Sequence, residues 1–222
     1  MNAADYNADH AHDHAALRAL SWWPFAADAT TSAGVAEIAA WQATHGLTAD
    51  GALGPASWSK LREAYRPAWG RVPRGLTEIL AKYGDPREAG VARAKWAEAH
   101  ITHLTVRGKV VRNVHAALAN EFAELLRCAI AISGYHPASI QTWNVRRKRG
   151  GDRDPATPPS WSTHSWAIAF DADPSLNPWG NVAGSPLVKL PLFAAVFRVA
   201  GWSCGLDWRT PDTMHFQACT GY

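Results

Sequence analysis

The sequence predicts an α+β fold with a small all-α module in front of it. Three observations lead to this prediction. Apolar residues at helical spacing occupy the first part of the chain, a Pro- and Gly-rich segment follows, and helices then mix with short strand-like segments. Because these strands do not alternate regularly with the helices, we expect an antiparallel sheet with helices packed on one side of it.

The composition is that of a globular protein. Of 222 residues, 47% are hydrophobic, and the formal net charge is +3. This mild positive charge attracts anionic polymers, including cell wall and nucleic acid, without choosing between them. The first residues are polar and acidic where a secretory signal would carry positive charge and then an apolar stretch. We therefore expect synthesis in the cytoplasm without a signal peptide, and no stable membrane insertion.

The three cysteines, Cys128, Cys204 and Cys219, cannot all pair within one chain and show no CxxC spacing. This pattern indicates neither a disulfide framework nor a thiolate zinc site. Cys204 and Cys219 could pair in an oxidised protein, but we favour buried thiols, because free cysteine usually packs as a small hydrophobic residue.

The first 15 or so residues are rich in Ala, Asp and His, with His10, His12 and His14 in alternation. A loose metal-binding tail is one interpretation. We favour a frayed terminus, because chain ends are poorly ordered unless something ties them down.

Twelve tryptophans are many for a chain of this size. Aromatic faces commonly stack on sugar rings or anchor interfaces. Core packing is the commoner use of large aromatic side chains, and we expect it for roughly two-thirds of these positions.

Two helices joined by a turn are predicted in the first part of the chain. Apolar residues recur on successive helical turns from Ser32, and Gly46 is placed to end this helix. The segment GLTADGALGP that follows has the composition of a turn. Pro55 then suits the first turn of a second helix, which reaches Tyr65.

The stretch WQATHGLTADGALGPASWSKL, from Trp41 to Leu61, resembles the second half of the three-helix peptidoglycan-binding domain. That pattern is an aromatic residue followed by Gln, then Gly-Leu, Asp-Gly, Gly-Pro and a final Trp and Leu. The matching residues are Trp41, Gln42, Gly46, Leu47, Asp50, Gly51, Gly54, Pro55, Trp58 and Leu61. The resemblance implies a wall-binding module of three helices. The alternative is a helical pair that only packs on the rest of the protein.

A domain boundary is predicted where RPAWGRVPRG supplies two prolines and two glycines. We expect a helical domain at residues 1–66, a linker at 67–75 and a second domain at 76–222. The elements expected in the second domain are a short helix over Leu76–Tyr83, a hairpin at 101–111, a long helix from Asn113 that Gly134 ends, a helix opened by Pro191, and strands at 140–145, 166–171, 201–208 and 214–217.

Chemistry-bearing residues concentrate in WSTHSWAIAFDAD, residues 161–173, and later in DTMHFQ, residues 212–217. In a strand, Ala167, Ala169 and Asp171 would share one face, and the small alanines would leave space beside the carboxylate. His164 precedes Asp171 by seven residues, so one regular strand would point them to opposite faces. They can converge only if the chain bends near Ser165.

Two imidazoles and one carboxylate suit zinc and leave a fourth position for water, whose proton a second carboxylate can take. His164, Asp171, Asp212 and His215 together provide these groups. Taken singly, each histidine would more often be a structural residue, so the prediction depends on their joint arrangement.

These segments resemble the zinc peptidases that include D-alanyl-D-alanine carboxypeptidases and dipeptidases and the phage L-alanyl-D-glutamate endolysins. The family pattern is Ser-x-His, two residues, Gly, one residue, Ala, one residue and Asp, with a later acid, two residues and His. The residues that match are Ser162, His164, Ala169, Asp171, Asp212 and His215. Ala167 stands where the pattern has Gly, a change that is tolerated if the backbone φ there is negative. The resemblance implies a zinc DD-peptidase or hedgehog-like fold, zinc ligands at His164, Asp171 and His215, and Asp212 as the general base.

The family also uses an arginine just before Ser-x-His to hold a substrate carboxylate or polarise the scissile carbonyl. In WNVRRKRGG we favour Arg146, because Gly150 follows it at the usual spacing, with Arg147 as the alternate. The cluster could instead be a nucleic-acid patch extending to Arg153, or a solvated loop.

The resemblance implies a Zn²⁺-dependent peptidoglycan hydrolase that acts at the bacterial cell wall or in the periplasm. We expect cleavage of the L-alanyl-D-glutamate bond of the stem peptide by metal-activated water. The alternatives are a D-Ala-D-Ala carboxypeptidase and a non-catalytic wall-binding protein. Peptidoglycan is the expected partner, nucleic acid is not, and we expect a monomer.

Overall fold

Helices and two antiparallel sheets make up the computed structural model, which describes residues 1–148, 160–180 and 182–222. This mixture agrees with the predicted α+β class. The helices are α1 Ala3–Asp9, α2 Ala11–Ala19, α3 Ser32–Thr44, α4 Pro55–Tyr65, α5 Gly75–Tyr83, α6 Val91–His100, α7 Ala119–Ser133, α8 Pro186–Lys189 and α9 Pro191–Val199. The strands are β1 Ile101–Val106, β2 Lys109–His115, β3 Ile140–Gln141, β4 Ala169–Ala172, β5 Ser203–Cys204 and β6 His215–Gln217.

The helices predicted at Ser32, Pro55, Leu76 and Pro191 are confirmed as α3, α4, α5 and α9. The side chain of Thr31 caps α3 by accepting a hydrogen bond from the Gly34 amide at 3.1 Å. Helices α6 and α8 were not predicted. In α6 only Trp96 is buried, so its sequence carries little helical periodicity.

The expectation of a frayed N-terminus is wrong, because side chains of α1 and α2 are tied to distant parts of the chain. Asn7 is fully buried and donates to the carbonyls of Ala29 and Gly51 at 2.8 and 3.0 Å. Its oxygen accepts from the Leu53 amide at 2.9 Å. His14 is also buried and packs on Trp23, which does not suit a loose metal-binding tail.

The residues that carry the resemblance to the wall-binding module build the turn between α3 and α4. Buried Gln42 donates to the Ala52 carbonyl at 3.0 Å and accepts from the Gly51 amide at 2.8 Å. Gly51 has φ +75°, a backbone conformation that favours glycine. Trp58 belongs to the hydrophobic core. Three of the matching residues, Gln42, Gly51 and Trp58, thus have structural roles in the turn and the core. Wall binding by this module remains a separate prediction.

The helices before residue 66 share one hydrophobic core with those after residue 75. Helix α2 packs along α9, and Asp13 forms an ion pair with Arg198 at 2.8 Å. Arg62 of α4 donates to the Ala200 carbonyl just beyond α9. Within the predicted linker, the Gly75 amide bonds to Thr220 near the C-terminus at 2.9 Å. The two predicted domains therefore pack closely together in the structure. The domain boundary at 67–75 remains a prediction.

The hairpin predicted at 101–111 is confirmed as β1 and β2, but the long helix begins later than expected. Strand β2 continues to His115, a 3-10 turn follows, and α7 starts at Ala119 instead of Asn113. Asn113 has φ +58°, which no right-handed helix accepts. Gly134 ends α7 as predicted, with φ +71°.

The larger sheet has the order β3-β4-β6-β5, and every pair in it is antiparallel. Several of its strands are shorter than predicted: β3 covers two residues of 140–145, and β5 covers two of 201–208. Phe170 of β4 stacks on Phe216 of β6, with ring centroids 4.8 Å apart, and both rings pack against Phe197 of α9. Residues next to these phenylalanines, Asp171 and His215, therefore point to the face of the sheet opposite α9.

All three cysteines are free thiols, and burial raises the pKa of Cys128 to about 11 and that of Cys219 to about 12. The Cys204–Cys219 bridge is thus not formed. No helix among the described residues is both long and apolar enough to cross a bilayer.

Candidate metal centre

Two neighbouring strands and one tight turn bring the predicted ligands together. Asp171 on β4 and His215 on β6 are directly paired across the sheet. His164 lies in a 3-10 turn over Thr163–Trp166, and Ala167 ends this turn in the left-handed conformation. The bend predicted near Ser165 is therefore present, and it turns the His164 ring toward Asp171.

The three side chains form a compact buried cluster. His164 Nε2 lies 3.1 Å from Asp171 Oδ1, His215 Nδ1 lies 2.9 Å from the same oxygen, and the two nitrogens are 3.2 Å apart. Burial alone would raise the pKa of Asp171, but the close contacts with His164 and His215 outweigh burial and hold this pKa well below its usual range. The cluster is thus an ionised carboxylate between two imidazoles.

The spacing of the three atoms fits a zinc ion. Bond lengths of 2.0–2.2 Å in a tetrahedron place neighbouring ligand atoms roughly 3.3 Å apart. The three separations in the cluster are 2.9 to 3.2 Å, so small outward movements would accommodate the ion. The group His164, Asp171 and His215 could therefore hold a metal ion.

Each imidazole is fixed through the nitrogen that faces away from the cluster. His164 Nδ1 donates to the Thr142 carbonyl, so in a neutral imidazole the lone pair is on Nε2, the nitrogen that faces the cluster. His215 Nε2 lies 3.0 Å from Gln217 Oε1, which leaves Nδ1 toward the cluster. The Gln217 amide keeps this orientation because Thr163 Oγ1 donates to the same oxygen at 3.0 Å. The two histidines therefore offer different ring nitrogens, each selected by a hydrogen bond.

Replacement of Gln217 should weaken metal binding without removing a ligand. We expect Gln217→Leu to lower zinc affinity about 10- to 100-fold, the usual effect of losing a group that orients a metal-bound histidine. Competition with a chromophoric chelator would measure this. Asn120→Leu, which replaces an exposed amide on α7, is the matched control and should bind zinc like the wild type. Equal affinity of Gln217→Leu and the control would contradict the orienting role.

Asp212 lies beside the cluster, and one of its carboxylate oxygens has no hydrogen-bond partner among the described residues. Its backbone is held by the Gly205 carbonyl at 2.9 Å, and a side chain at Gly205 would collide with Asp212. Among the described residues, none forms a hydrogen bond with the buried Oδ1 atom of Asp212. Burial raises the pKa of this carboxyl, and the nearby Asp171 adds to the rise while His215 opposes it. A buried, unsatisfied acceptor beside a possible metal site is suited to take a proton.

Arg146 and Arg147 occupy different surroundings. Arg146 lines the cavities on both sides of the cluster, and its main chain is tied to Ser162 and Ser165 of the metal segment at 2.9 and 3.1 Å. Arg147 stacks its guanidinium over Trp161, 4.2 Å from the ring centroid. Gly150, on which the spacing argument relied, and Arg153 lie outside the described residues.

Ala167 does not have the negative φ on which tolerance of alanine depended. Its φ is +55° and its ψ is +30°, the left-handed conformation that glycine adopts most readily. Ala169 on β4 is in an ordinary strand. Ala167 therefore strains the turn that positions His164.

Ala167→Gly should stabilise the protein. The left-handed conformation costs an L-residue about 1–2 kcal/mol, and the greater flexibility of glycine when unfolded offsets part of the gain, so we expect a net gain of about 0.5–1 kcal/mol. Urea unfolding would measure it. Ala169→Gly, the matched control, should destabilise. A loss of stability in both variants would show that Ala167 carries no strain.

Two cavities meet at the cluster. One, of about 630 Å³, contains Asp171, Asp212 and His215 together with the aromatic side chains of Trp179 and Trp208. The other, of about 330 Å³, adjoins His164 and Asp171 and is lined by polar groups such as Arg112. A chain-like substrate could therefore occupy both cavities while it contacts the metal site.

Sequence reasoning missed several of these residues. Gln217 and Thr142 orient the histidines, and Trp179 and Trp208 form the cavity wall. Gln217 belongs to the segment MHFQ, and the sequence places it two residues after His215, on the same face of a strand. Thr142 acts through its carbonyl, so its identity gave no signal.

Comparison with known proteins bears on the second half of the chain. No curated protein and no solved structure gave a significant match. Residues 156–218, which include all four predicted metal and acid residues, match the family model described as D-alanyl-D-alanine carboxypeptidase, and this supports placing this part of the chain with the zinc DD-peptidases.

Proposed function

We propose that the protein is a zinc-dependent peptidoglycan peptidase that hydrolyses a bond of the stem peptide. The observation that carries the proposal is the buried His164–Asp171–His215 cluster with the unsatisfied Asp212 carboxylate beside it. The family match to residues 156–218 supports a peptidase acting on peptidoglycan. The cluster has two imidazoles and one carboxylate, the ligand set of a catalytic zinc site that keeps an open position.

A zinc ion held by these three residues would supply Lewis acidity and lower the pKa of a bound water to about 7. Asp212 accepts the proton of the attacking water, for which its raised pKa is suited, and returns it to the leaving amine. Arg146, which lines both cavities, stabilises the negative charge that develops on the scissile carbonyl oxygen.

Within this activity, we favour the L-alanyl-D-glutamate bond. Two cavities that both adjoin the cluster suit a bond inside a chain, whereas a carboxypeptidase needs room for only one terminal residue beyond the bond. The acid is Asp212, as in the endolysin branch that the sequence resembles, where the dipeptidases of the family typically place the longer Glu.

Digestion of purified sacculi should identify the bond. We expect newly freed N-terminal glutamate and a fall in turbidity, since cleavage between the sugar and the cross-link detaches the peptide bridges from the glycan. Labelling of new amino termini followed by mass spectrometry measures this. Release of free D-alanine without loss of turbidity would instead identify a D-Ala-D-Ala carboxypeptidase, the activity that describes the matching family.

Two other functions are less well supported. A non-catalytic wall-binding protein has no need of a buried acid such as Asp212 beside its metal. A nucleic-acid patch would need its arginines free to meet phosphates, yet Arg147 is engaged with Trp161. Wall binding by residues 1–66 and a monomeric state remain part of the proposal.

A further inference from the structure

The two exposed tryptophans of the chain lie at the same place. All twelve belong to the described residues, and ten are buried or packed against the core: Trp22, Trp23, Trp41, Trp58, Trp69, Trp96, Trp143, Trp161, Trp166 and Trp202. The exceptions are Trp179, which is 60% exposed, and Trp208, which is 39% exposed. Both line the 630 Å³ cavity beside the metal cluster. The one other exposed aromatic side chain among the described residues, Tyr65 on α4, is 39% exposed and does not line this cavity. Two exposed tryptophans in the wall of one cavity indicate a contact with something outside the chain.

The wall that carries the two tryptophans is firmly held. The Trp208 ring lies 5.2 Å from the ring of His215, centroid to centroid. The amide next to Trp179, that of Gly180, bonds to the Pro211 carbonyl at 2.9 Å, just before Asp212. Fully buried Asn177 donates to the Ala172 carbonyl at the end of β4 at 3.0 Å. The aromatic wall is therefore fixed relative to the catalytic groups and is not a loose loop tip.

The chemistry of peptidoglycan suggests what this wall contacts. A pyranose ring presents C–H groups on its faces and hydroxyl groups around its edge, so it stacks on an aromatic face while its hydroxyl groups stay in water. In the stem peptide, L-alanine is joined directly to the lactyl group of a sugar. The L-alanyl-D-glutamate bond is thus about one residue, roughly 3.5 Å, from that group, whereas the D-Ala-D-Ala bond is about four residues, roughly 14 Å, from it.

We propose that Trp179 and Trp208 form a stacking platform for the sugar ring that carries the stem peptide. The inference rests on the proposed function and adds to it the orientation of the substrate relative to the metal cluster. The glycan lies on the tryptophan side of the cluster. The peptide beyond the scissile bond, with its free carboxylates, lies in the 330 Å³ cavity near the exposed Arg112.

The test compares two substrates that differ only in the sugar. One is the disaccharide-linked stem peptide, and the other is the same peptide with an acetylated L-alanine. For each variant the measured quantity is the ratio of the two kcat/KM values. We expect Trp179→Ala to lower this ratio roughly tenfold, mainly through KM, because stacking of this kind contributes about one factor of ten. Trp179→Phe should restore most of it, and Trp179→Leu should not.

Leu176→Ala is the matched control, because Leu176 is 53% exposed in the same loop and is not part of the cavity wall. It should keep the wild-type ratio. Trp208→Ala should lower the ratio as Trp179→Ala does, and its zinc content is measured as well because Trp208 contacts His215.

Three results would overturn the platform. The ratio could stay unchanged in Trp179→Ala, both substrates could lose rate equally, or Trp179→Leu could restore the ratio as well as Trp179→Phe. If the wild-type protein left the L-alanyl-D-glutamate bond of both substrates intact, the proposed function would fail, and that result is distinct from all three.

Discussion

Asp212→Asn is expected to keep the metal ion and to lose about 10²- to 10⁴-fold in kcat, the usual contribution of a general base. Asparagine has nearly the same shape as aspartate, so the fit beside Gly205 is preserved. It cannot accept a proton, and the water would have to lose its proton to solvent. Because Asp212 is not among the three cluster residues, zinc content should not change.

Rates on the stem peptide, together with elemental analysis of the dialysed protein, test this prediction. Asp9→Asn, an exposed acid on α1, is the control and should match the wild type in both measurements. If Asp212→Asn turned over substrate at the wild-type rate, the base would have to be another residue. If it lost zinc as well as rate, Asp212 would be acting as a ligand.

The sequence carried enough information to predict most of the site. Residue types and spacing indicate two imidazoles and two carboxylates, and the resemblance to the zinc peptidases implies that His164, Asp171 and His215 are the ligands. The structure brings ligand atoms of these three residues within 4.8 Å of one another, and their role as zinc ligands remains a prediction. A strand separates faces by alternation, so His164 needed a bend to reach Asp171, and the bend is present.

The parts of the fold that were mispredicted depend on contacts that the local sequence does not reveal. The first helices looked like a loose end, yet Asn7 is bonded to residues 22, 44 and 46 positions away. Val114 fits a helical pattern with Leu118 as well as it fits the end of β2. Hairpin pairing with Thr102 decides in favour of the strand. Tertiary contacts of this kind override local propensity.

Ala167 shows the same limit for a single residue. Tolerance of alanine was expected to depend on a negative φ at this position, whereas the turn that carries His164 has a left-handed residue there. The cost of about 1–2 kcal/mol is offset by the surrounding structure, including a hydrogen bond from the His115 amide to the Ala167 carbonyl at 3.0 Å. A glycine in a family pattern indicates a special backbone conformation at that position. The alanine of this one sequence does not reveal that conformation.

His215→Ala is expected to reduce bound zinc from one ion per chain to a small fraction of that and to reduce hydrolysis by more than about 100-fold, since loss of even an orienting group costs 10- to 100-fold. His215 Nδ1 is one of the three ligand atoms of the cluster and lies 2.9 Å from Asp171 Oδ1 and 3.2 Å from His164 Nε2.

The control is His45→Ala, which replaces an exposed histidine at the end of α3 and should retain full zinc and rate. Elemental analysis after dialysis measures the metal, and near-ultraviolet circular dichroism checks that β6 still packs. Full zinc occupancy in folded His215→Ala would remove this residue from the ligand set, and a wild-type protein without zinc would refute the metal site itself.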